Sequence, residues 1–287
     1  MREPKFLNKP ATDANAPQTR WAEKPHWYLW DGGFFLVGRG QGVVPPHSHH
    51  AIQIAMGIDG EVALQGERGA WRAGRGFIVR ADALHSYKPQ GAFAAMILMD
   101  PESAEGAWLS ASLRQDITLV PEARLEGCVR ELKRLIDQPF ESMGIPELIR
   151  HCVHALCAGV PPSRRLDERI TRVLAAIRNS DELRVSIDEA AAMAFLSPSR
   201  FAHLFKQQVG LPFRRYMLWR KLTRAMLIIG REQTISTAAH EADFSDAAHL
   251  TRTFYQMVGL APSLLMRGAF FEIAPPFETS GSSSPRA

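Results

Sequence analysis

Residues 187–210 read IDEAAAMAFLSPSRFAHLFKQQVG, and residues 235–259 read ISTAAHEADFSDAAHLTRTFYQMVG. Both stretches carry an isoleucine, an alanine pair, a serine, a phenylalanine and a closing glycine in the same order. The offset between matched residues is 48 up to the serine and 49 after it, so the second copy has one extra residue in its turn. Two short helices around a tight turn, repeated along one chain, predict helix-turn-helix units at 187–208 and 235–258.

The second helix of each copy has one apolar face and one polar face. In the first copy, Ser186 and Glu189 form a capping box, and Ser197 before Pro198 starts the second helix. A helix with an aromatic core face and short polar residues outside suits insertion into the major groove of DNA. The predicted DNA-binding residues are Ser199, Arg200, Ala202, His203, Lys206 and Gln207 in the first copy and Ala248, His249, Thr251, Arg252, Tyr255 and Gln256 in the second.

Arg252 is the strongest single candidate for a base contact, because arginine can bond a guanine edge with two hydrogen bonds. His203 holds the equivalent place in the first copy. Other basic residues are predicted to contact phosphates, which positions a protein on DNA without specifying sequence. They are Arg200, Arg214, Arg215, Lys221 and Arg224. Between the copies, a predicted helix from Phe213 to Ile229 could separate the two recognition helices by about one turn of DNA, ~34 Å.

Charge is distributed unevenly along the chain. Residues 163–270 contain 16 Lys and Arg against 10 Asp and Glu, whereas the remaining residues contain 18 against 20. The basic excess therefore coincides with the repeat, where phosphate contacts would be needed.

The repeat resembles the AraC/XylS family of bacterial transcription regulators from Asp167 to Gly268. The motifs that carry the resemblance are Phe201-x3-Phe205-x4-Gly210, Tyr216-x3-Arg220-x4-Ala225 and Ile235-x2-Ala238-Ala239-x4-Phe244-Ser245-Asp246-x3-Leu250-x3-Phe254-x4-Gly259-x2-Pro262. The resemblance implies seven helices, two helix-turn-helix units and a linking helix. The chain departs from it at Phe195, where a small residue is usual, and at Asp243, where glycine is usual. Asp tolerates a left-handed turn conformation better than Phe does.

The N-terminal part of the chain has a different pattern. Short apolar stretches at Gly33–Gly38, Ala51–Met56, Val62–Gln65, Gly76–Val79 and Phe93–Met99 alternate with turn residues, which predicts a β-sandwich or barrel. The sequence His47-Ser-His49-His50-Ala-Ile-Gln53 resembles the first cupin motif, and His85 falls where the second motif has its histidine. The resemblance implies a small β-barrel. The candidate effector-binding residues are His47, His49, Gln53, His85, Trp71 and Tyr87.

Three interpretations of the histidines remain open. His47, His49, Gln53 and His85 could bind Fe, Ni, Mn or Zn, because imidazole and oxygen ligands suit these metals. They could instead line a metal-free pocket for a small organic effector, since Gln53 replaces the glutamate usual in cupins. The third interpretation is a packed barrel with surface histidines. No cofactor is therefore assigned beyond this possible divalent metal.

The whole pattern predicts an α+β protein of two domains. The predicted organisation is a flexible arm (1–20), a cupin-like effector-sensing barrel or double-stranded β-helix (21–106), a helical dimerisation segment (107–160), a linker (161–166), an AraC-type all-α DNA-binding domain (167–269) and a disordered tail (271–287). We expect a cytoplasmic location, because the chain has no apolar run long enough for a membrane span and no disulfide framework among its three cysteines.

The leading hypothesis is a sequence-specific transcription regulator that responds to a small molecule bound in the cupin-like domain. Its expected partners are double-stranded DNA, the effector, a second copy in a homodimer and RNA polymerase, with no membrane. We expect no enzymatic activity, because no arrangement of residues indicates nucleophilic or acid–base catalysis. The alternative from another class is a cupin metalloenzyme, or a metal sensor, fused to a DNA-binding module. A third is an interaction protein whose barrel only dimerises.

Overall fold

A computed structural model describes residues 25–30, 32–40, 42–136, 144–157, 166–180, 183–231, 233–263 and 270–273. The chain forms two compact units, residues 1–160 together with 254–287, and residues 161–253. The first is rich in strands and the second is helical, so the predicted two-domain α+β organisation is confirmed. Over the described residues, none of the helices is long and apolar enough to cross a membrane. The predicted arm (1–20) and most of the predicted linker (161–166) lie outside the described residues.

Two sheets make up the β part of the first unit. Their strands are β1 (His26–Trp30), β2 (Gly33–Arg39), β3 (Val44–His47), β4 (Ile52–Gly57), β5 (Val62–Gly66), β6 (Arg72–Gly74), β7 (Gly76–Val79), β8 (His85–Lys88), β9 (Phe93–Met99), β10 (Ile117–Leu119) and β11 (Phe270–Ile273). The larger sheet has the order β10-β7-β4-β9-β2-β1-β11, and the smaller one has the order β3-β8-β5-β6. Strands β2, β4, β5, β7 and β9 occupy the five apolar stretches of the sequence.

Strand β4 is buried along its whole length because both faces of the larger sheet are covered. Ile52, Ile54 and Met56 point to one face and join an apolar cluster with the helices of this unit. Ala55 points to the other face and packs in a cluster that includes Val62, Leu64 and Tyr87 of the smaller sheet. Alternation along a strand thus places Gln53, which shares the face of Ala55, between the two sheets.

Three helices precede residue 160 in the described part of the first unit: α1 (Ala104–Ser112), α2 (Glu122–Ile136) and α3 (Gly144–Leu156). The predicted boundary between barrel and helices at 106/107 falls inside α1, because Ser103 caps that helix through the Gly106 amide. The apolar stripes of α2 and α3, including Leu125, Val129 and Val153, are buried in the same core as the larger sheet. These stripes therefore stabilise the unit itself.

The C-terminal end of the described chain corrects one expectation. Residues 270–273 form β11, which pairs in parallel with β1, whereas we expected disorder from 271. The edge of β1 is open to a further strand, and a segment rich in phenylalanine and isoleucine has high β propensity. This pairing places residues 270–273 with the first unit.

Six described helices follow Asp167: α4 (Glu168–Asn179), α5 (Ile187–Met193), α6 (Pro198–Val209), α7 (Phe213–Gly230), α8 (Ile235–Glu241) and α9 (Ala247–Val258). The capping box of Ser186 and Glu189 is present at α5, and Ser197 caps α6. Small alanines at matched places are buried in both copies, which lets the helices cross closely. They are Ala190, Ala191 and Ala194 in one copy and Ala238, Ala239 and Ala242 in the other.

The repeat extends one helix further back than the sequence indicated. Helix α4 precedes the first copy and helix α7 precedes the second. Their buried residues correspond to one another at an offset of 49 residues. These are Ile170, Val173, Leu174 and Ile177 in α4 and Trp219, Leu222, Thr223 and Met226 in α7. Each copy is therefore a unit of three helices, α4–α5–α6 and α7–α8–α9.

Candidate functional site

Three histidines and one glutamine meet between the two sheets of the first unit. His47 at the end of β3 is the register partner of His85 at the start of β8, and both belong to the smaller sheet. His49 follows β3, and Gln53 lies on β4 of the larger sheet. All four side chains are buried. One ring nitrogen from each histidine lies within 4.8 Å of the others, which is close enough for one metal ion to contact all three.

Backbone carbonyls fix the orientation of each imidazole. The Nδ1 atoms of His47, His49 and His85 each lie 2.9 Å from a carbonyl oxygen, of Pro45, Ala51 and Ala83 respectively. A carbonyl can only accept, so each Nδ1 carries the proton in the neutral ring and each Nε2 carries a lone pair. Metal-binding histidines in proteins typically donate their other ring N–H to such an acceptor.

Gln53 completes the cluster. Its Oε1 lies 3.1 Å from His49 Nε2 and 3.2 Å from His85 Nε2. Its Nε2 is buried without a hydrogen-bond partner among the described residues. Gln53 Oε1 and the two Nε2 atoms are all hydrogen-bond acceptors when both rings are neutral, so no proton lies between them. A cation would stabilise this arrangement.

Burial keeps these histidines neutral. Desolvation, reinforced by His49, lowers the pKa of His47 to about 4. Desolvation also lowers the pKa of His49, and desolvation together with the two neighbouring rings lowers the pKa of His85 well below its usual value. Neutral imidazole is the form that binds metals, so the site does not have to lose protons at neutral pH before a metal binds.

The adjacent His50 has the opposite electrostatic environment. Its Nδ1 lies 3.0 Å from Asp82, and its Nε2 lies 2.7 Å from Glu102. Desolvation opposes the charged ring, but the two carboxylates outweigh it and raise the pKa of His50 to about 10. The charged ring therefore links the segment that carries His49 to the turn before β8 and to the chain before α1. The sequence did not indicate this role, because both carboxylates are distant along the chain.

The two aromatic candidates lie in different places. Tyr87 is buried on β8, and it points to the same face as His85 because the two residues are two positions apart. Trp71 has 39% of its surface exposed, and the ammonium of Lys88 lies 5.8 Å from its ring centroid. Trp71 is thus outside the histidine cluster, whereas Tyr87 shares a strand face with His85.

Most of the residues predicted to bind DNA lie on exposed faces of α6 and α9. On α6, Ser199, Arg200, His203, Lys206 and Gln207 are exposed, and Ala202 is half-buried. On α9, Ala248, Arg252, Tyr255 and Gln256 are exposed, and Tyr255 has 52% of its surface accessible. The opposite faces hold Phe201 and Phe205 in one copy and Leu250 and Phe254 in the other, all fully buried.

Comparison with known proteins identifies both parts of the chain. Residues 190–268 match a helix-turn-helix domain family, and residues 36–153 match the AraC-like ligand binding domain. The chain thus carries both the ligand-binding and the helix-turn-helix domain of an AraC-type transcriptional regulator. It is 25% identical over 232 residues to the probable transcriptional regulator LumQ of Photobacterium leiognathi, covering 76% of this chain and 90% of LumQ. It is 30% identical over 107 residues to the arabinose operon regulatory protein of Escherichia coli K12, covering 36% of each.

Solved structures support the fold of this AraC-family regulator. ToxT from Vibrio cholerae superposes with a TM-score of 0.56 at 8% identity, covering 82% of this chain and 98% of ToxT. A second ToxT structure, of an apo point variant from the same organism, gives a TM-score of 0.55 at 10% identity, covering 82% of this chain and 97% of ToxT. At such identities the likeness shows the fold alone.

Three predicted DNA contacts of the regulator already have partners in the structure. His249 Nδ1 lies 3.1 Å from the Ser245 hydroxyl, and its ring packs edge-on against Phe244. The Thr251 hydroxyl donates to the Ala247 carbonyl at 2.8 Å. The ammonium of Lys221 is paired with the Asp243 carboxylate, which makes Lys221 a poor candidate for a phosphate contact.

Proposed function

We propose that this regulator binds two successive major-groove segments of DNA through the outward faces of α6 and α9. The exposure of Arg252 at the centre of the α9 face supports this proposal most directly. The two faces differ in chemistry, with Ser199, His203 and Lys206 on one and Ala248, Arg252 and Tyr255 on the other. We therefore expect the two half-sequences to differ, and the half bound by α9 to contain a guanine.

The test is binding to a duplex selected by the wild-type chain from a random-sequence library. Arg252→Ala should weaken binding by about 1–3 kcal/mol and relax the preference at one base pair. Arg114→Ala, which removes one exposed cation from the first unit, is the matched control and should leave both unchanged. Unchanged affinity and preference in Arg252→Ala would contradict the assignment of α9 to the groove.

We also propose that the first unit is a cupin-like barrel whose histidine cluster binds a divalent metal ion. His47, His49, His85 and the Oε1 of Gln53 would hold the ion, and imidazole with one amide oxygen suits Fe, Ni, Mn or Zn. The fixed Nδ1 protons and the unsatisfied Gln53 amide support this proposal. A bound metal supplies a Lewis-acid site that can anchor an oxygen or nitrogen donor of a small-molecule effector.

A metal-free arrangement is the competing possibility for the same four side chains. Rotation of the Gln53 amide would direct its two N–H groups at His49 and His85 and satisfy the cluster without an ion. Elemental analysis of the purified full chain, after dialysis against a defined mixture of Fe, Ni, Mn and Zn salts, distinguishes the two. We expect one metal per chain, lost in His47→Ala and kept in His240→Ala, which removes an exposed histidine. A wild-type chain with no more metal than His47→Ala would overturn the proposal.

The same donor set favours a second candidate function, a metalloenzyme or metal sensor joined to the DNA-binding unit. A sensor changes its affinity for the selected duplex when metal is added, whereas an enzyme consumes a substrate with no change in DNA binding. Titrating the duplex with and without bound metal separates the two candidates.

We also propose that the regulator forms a homodimer and contacts RNA polymerase. Both proposals rest on the family resemblance. Among the described side chains of α2 and α3 the apolar stripes are buried in the core of the unit, so a dimer through these helices would use their polar faces. Sedimentation of the full chain measures the oligomeric state directly.

A further inference from the structure

Matched turns in the two helix-turn-helix copies carry different residues. Phe195 and Asp243 are 48 residues apart and hold the same place, between the first and second helix of each copy. Both adopt the left-handed conformation, with φ of 54° and 59°. A glycine would adopt this conformation without strain, so the side chains at these two positions come at a cost in stability.

In each copy, a cation from the preceding helix lies against the turn residue. Arg172 on α4 stacks over the Phe195 ring with its guanidinium carbon 5.6 Å from the centroid. Lys221 on α7, at an offset of 49 from Arg172, pairs with the Asp243 carboxylate and donates to the Asp243 carbonyl at 3.0 Å. Both copies therefore place a cation against the turn residue, but the contact is a cation–π interaction in the first copy and an ion pair in the second.

Asp243 makes one more contact that has no counterpart at Phe195 in the part of the chain that the structure describes. The guanidinium of Arg184 is also paired with the Asp243 carboxylate. Arg184 lies just before α5, so it belongs to the first copy, whereas Asp243 and Lys221 belong to the second. The Asp243 carboxylate thus joins the two copies within the helical unit.

The carboxylate is well placed for this role. Its side chain is 17% exposed, whereas that of Arg184 is 78% exposed. Partial desolvation would raise the pKa of Asp243, but Lys221 and Arg184 outweigh it and lower this pKa. Because Asp243 and Lys221 are both shielded from water, their ion pair is screened less by salt than a pair between fully exposed groups.

We propose that Asp243, itself anchored by Lys221, is a positioning residue, which holds the two copies at a fixed separation through Arg184 and so limits the half-site spacings that the regulator accepts. This rests on the proposed function, in which α6 and α9 bind one duplex together. Two linked binding elements gain affinity from each other only when their separation matches the two sites. Loss of the Arg184–Asp243 ion pair should therefore reduce the extra DNA affinity that comes from binding through α6 and α9 together. The affinity of each helix for its own half-site should stay the same.

The experiment uses the selected duplex, a shortened duplex with only the half bound by α9, and a series with one to three base pairs inserted or deleted between the halves. Arg184→Gln is the main variant, because it removes the contact between copies and keeps the Lys221–Asp243 pair. Asp243→Gly removes both pairs and relieves the turn. Phe195→Gly is the matched control, since it relieves the equivalent turn of the first copy and leaves the Asp243 contacts in place.

We expect Arg184→Gln and Asp243→Gly to bind the full duplex about tenfold more weakly, an effect typical of altered effective concentration. Their affinity for the half duplex should stay within about twofold of wild type, and their dependence on spacing should become flatter, whereas Phe195→Gly keeps the wild-type profile. Equal losses on full and half duplexes, or an unchanged spacing profile in Arg184→Gln, would overturn the positioning role. Failure of the wild-type chain to need both halves would instead overturn the proposed function.

Discussion

At the scale of single residues, adjacent histidines differ because of what surrounds them. His49 faces Gln53 and two neutral rings, so desolvation dominates and the ring stays neutral. His50 is equally buried, but Asp82 and Glu102 stabilise its charged form. The charge of a histidine therefore depends on the groups that the fold places around it, and not on the residue type alone.

The charged ring of His50 is expected to contribute strongly to stability. His50→Ala should lower the free energy of unfolding by about 3 kcal/mol, because the Glu102 carboxylate would stay buried without its partner. Urea unfolding followed by tryptophan fluorescence measures this change. Arg80→Ala removes the exposed pair with Asp116 and should cost under about 0.5 kcal/mol. Similar losses in the two variants would mean that the buried triad is no more important than a surface pair.

At the scale of elements, local signals decide where the helices of each copy begin. The Ser186 hydroxyl accepts from the Glu189 amide at 3.2 Å, and the Glu189 carboxylate accepts from the Ser186 amide at 2.7 Å. Helix α5 has only seven residues. A helix this short is marginal by itself, so its cap and its packing against α4 and α6 must stabilise it together.

The cap of α5 can be tested separately from its packing. Ser186→Ala should destabilise the helical unit by about 1 kcal/mol, because the Glu189 amide N–H loses its acceptor and the Glu189 carboxylate loses the hydroxyl that donates to it. Ser199→Ala alters an exposed serine on α6 and should change stability by less than about 0.5 kcal/mol. Thermal unfolding followed by circular dichroism at helical wavelengths compares the two. A Ser186→Ala variant as stable as Ser199→Ala would show that tertiary packing alone determines α5.

At the scale of the whole molecule, charge is divided between the two parts of the chain. The basic excess lies between residues 163 and 270, while the remainder is slightly acidic. Electrostatic attraction to phosphate should therefore come from the helical unit, and DNA affinity should fall as salt rises.

The salt dependence of DNA binding gives a prediction at this scale. Arg214→Gln, at the exposed start of α7, should lower the slope of log affinity against log salt by about one, since each phosphate contact releases counterions. The measurement is a binding isotherm on the selected duplex at several salt concentrations. Arg68→Gln removes an exposed cation of the first unit and should leave the slope unchanged. If both variants change the slope equally, net charge and not a local contact governs it.

Much of the helical unit could be predicted from the sequence, because its signals are local. Caps at Ser186 and Ser197, helical spacing of aromatic residues and the turns at Phe195 and Asp243 all act over a few residues. In the first unit, five apolar stretches predicted five strands. Six further described strands were missed: β1, β3, β6, β8, β10 and β11. All of them except β1 have only three or four residues, so each is stabilised by its pairing partner more than by its own pattern.

The sequence by itself determined the repeat, the family, and which residues face outward on α6 and α9, since helical periodicity fixes a face once the core face is known. Only the tertiary structure decided how distant residues meet. It brought Gln53 to His85 across two sheets, placed Asp82 and Glu102 on His50, left Trp71 at the surface and joined Arg184 to Asp243. The physical reason is that hydrogen bonds and ion pairs depend on separation in space, and the chain reveals that separation only after its sheets and helices have packed.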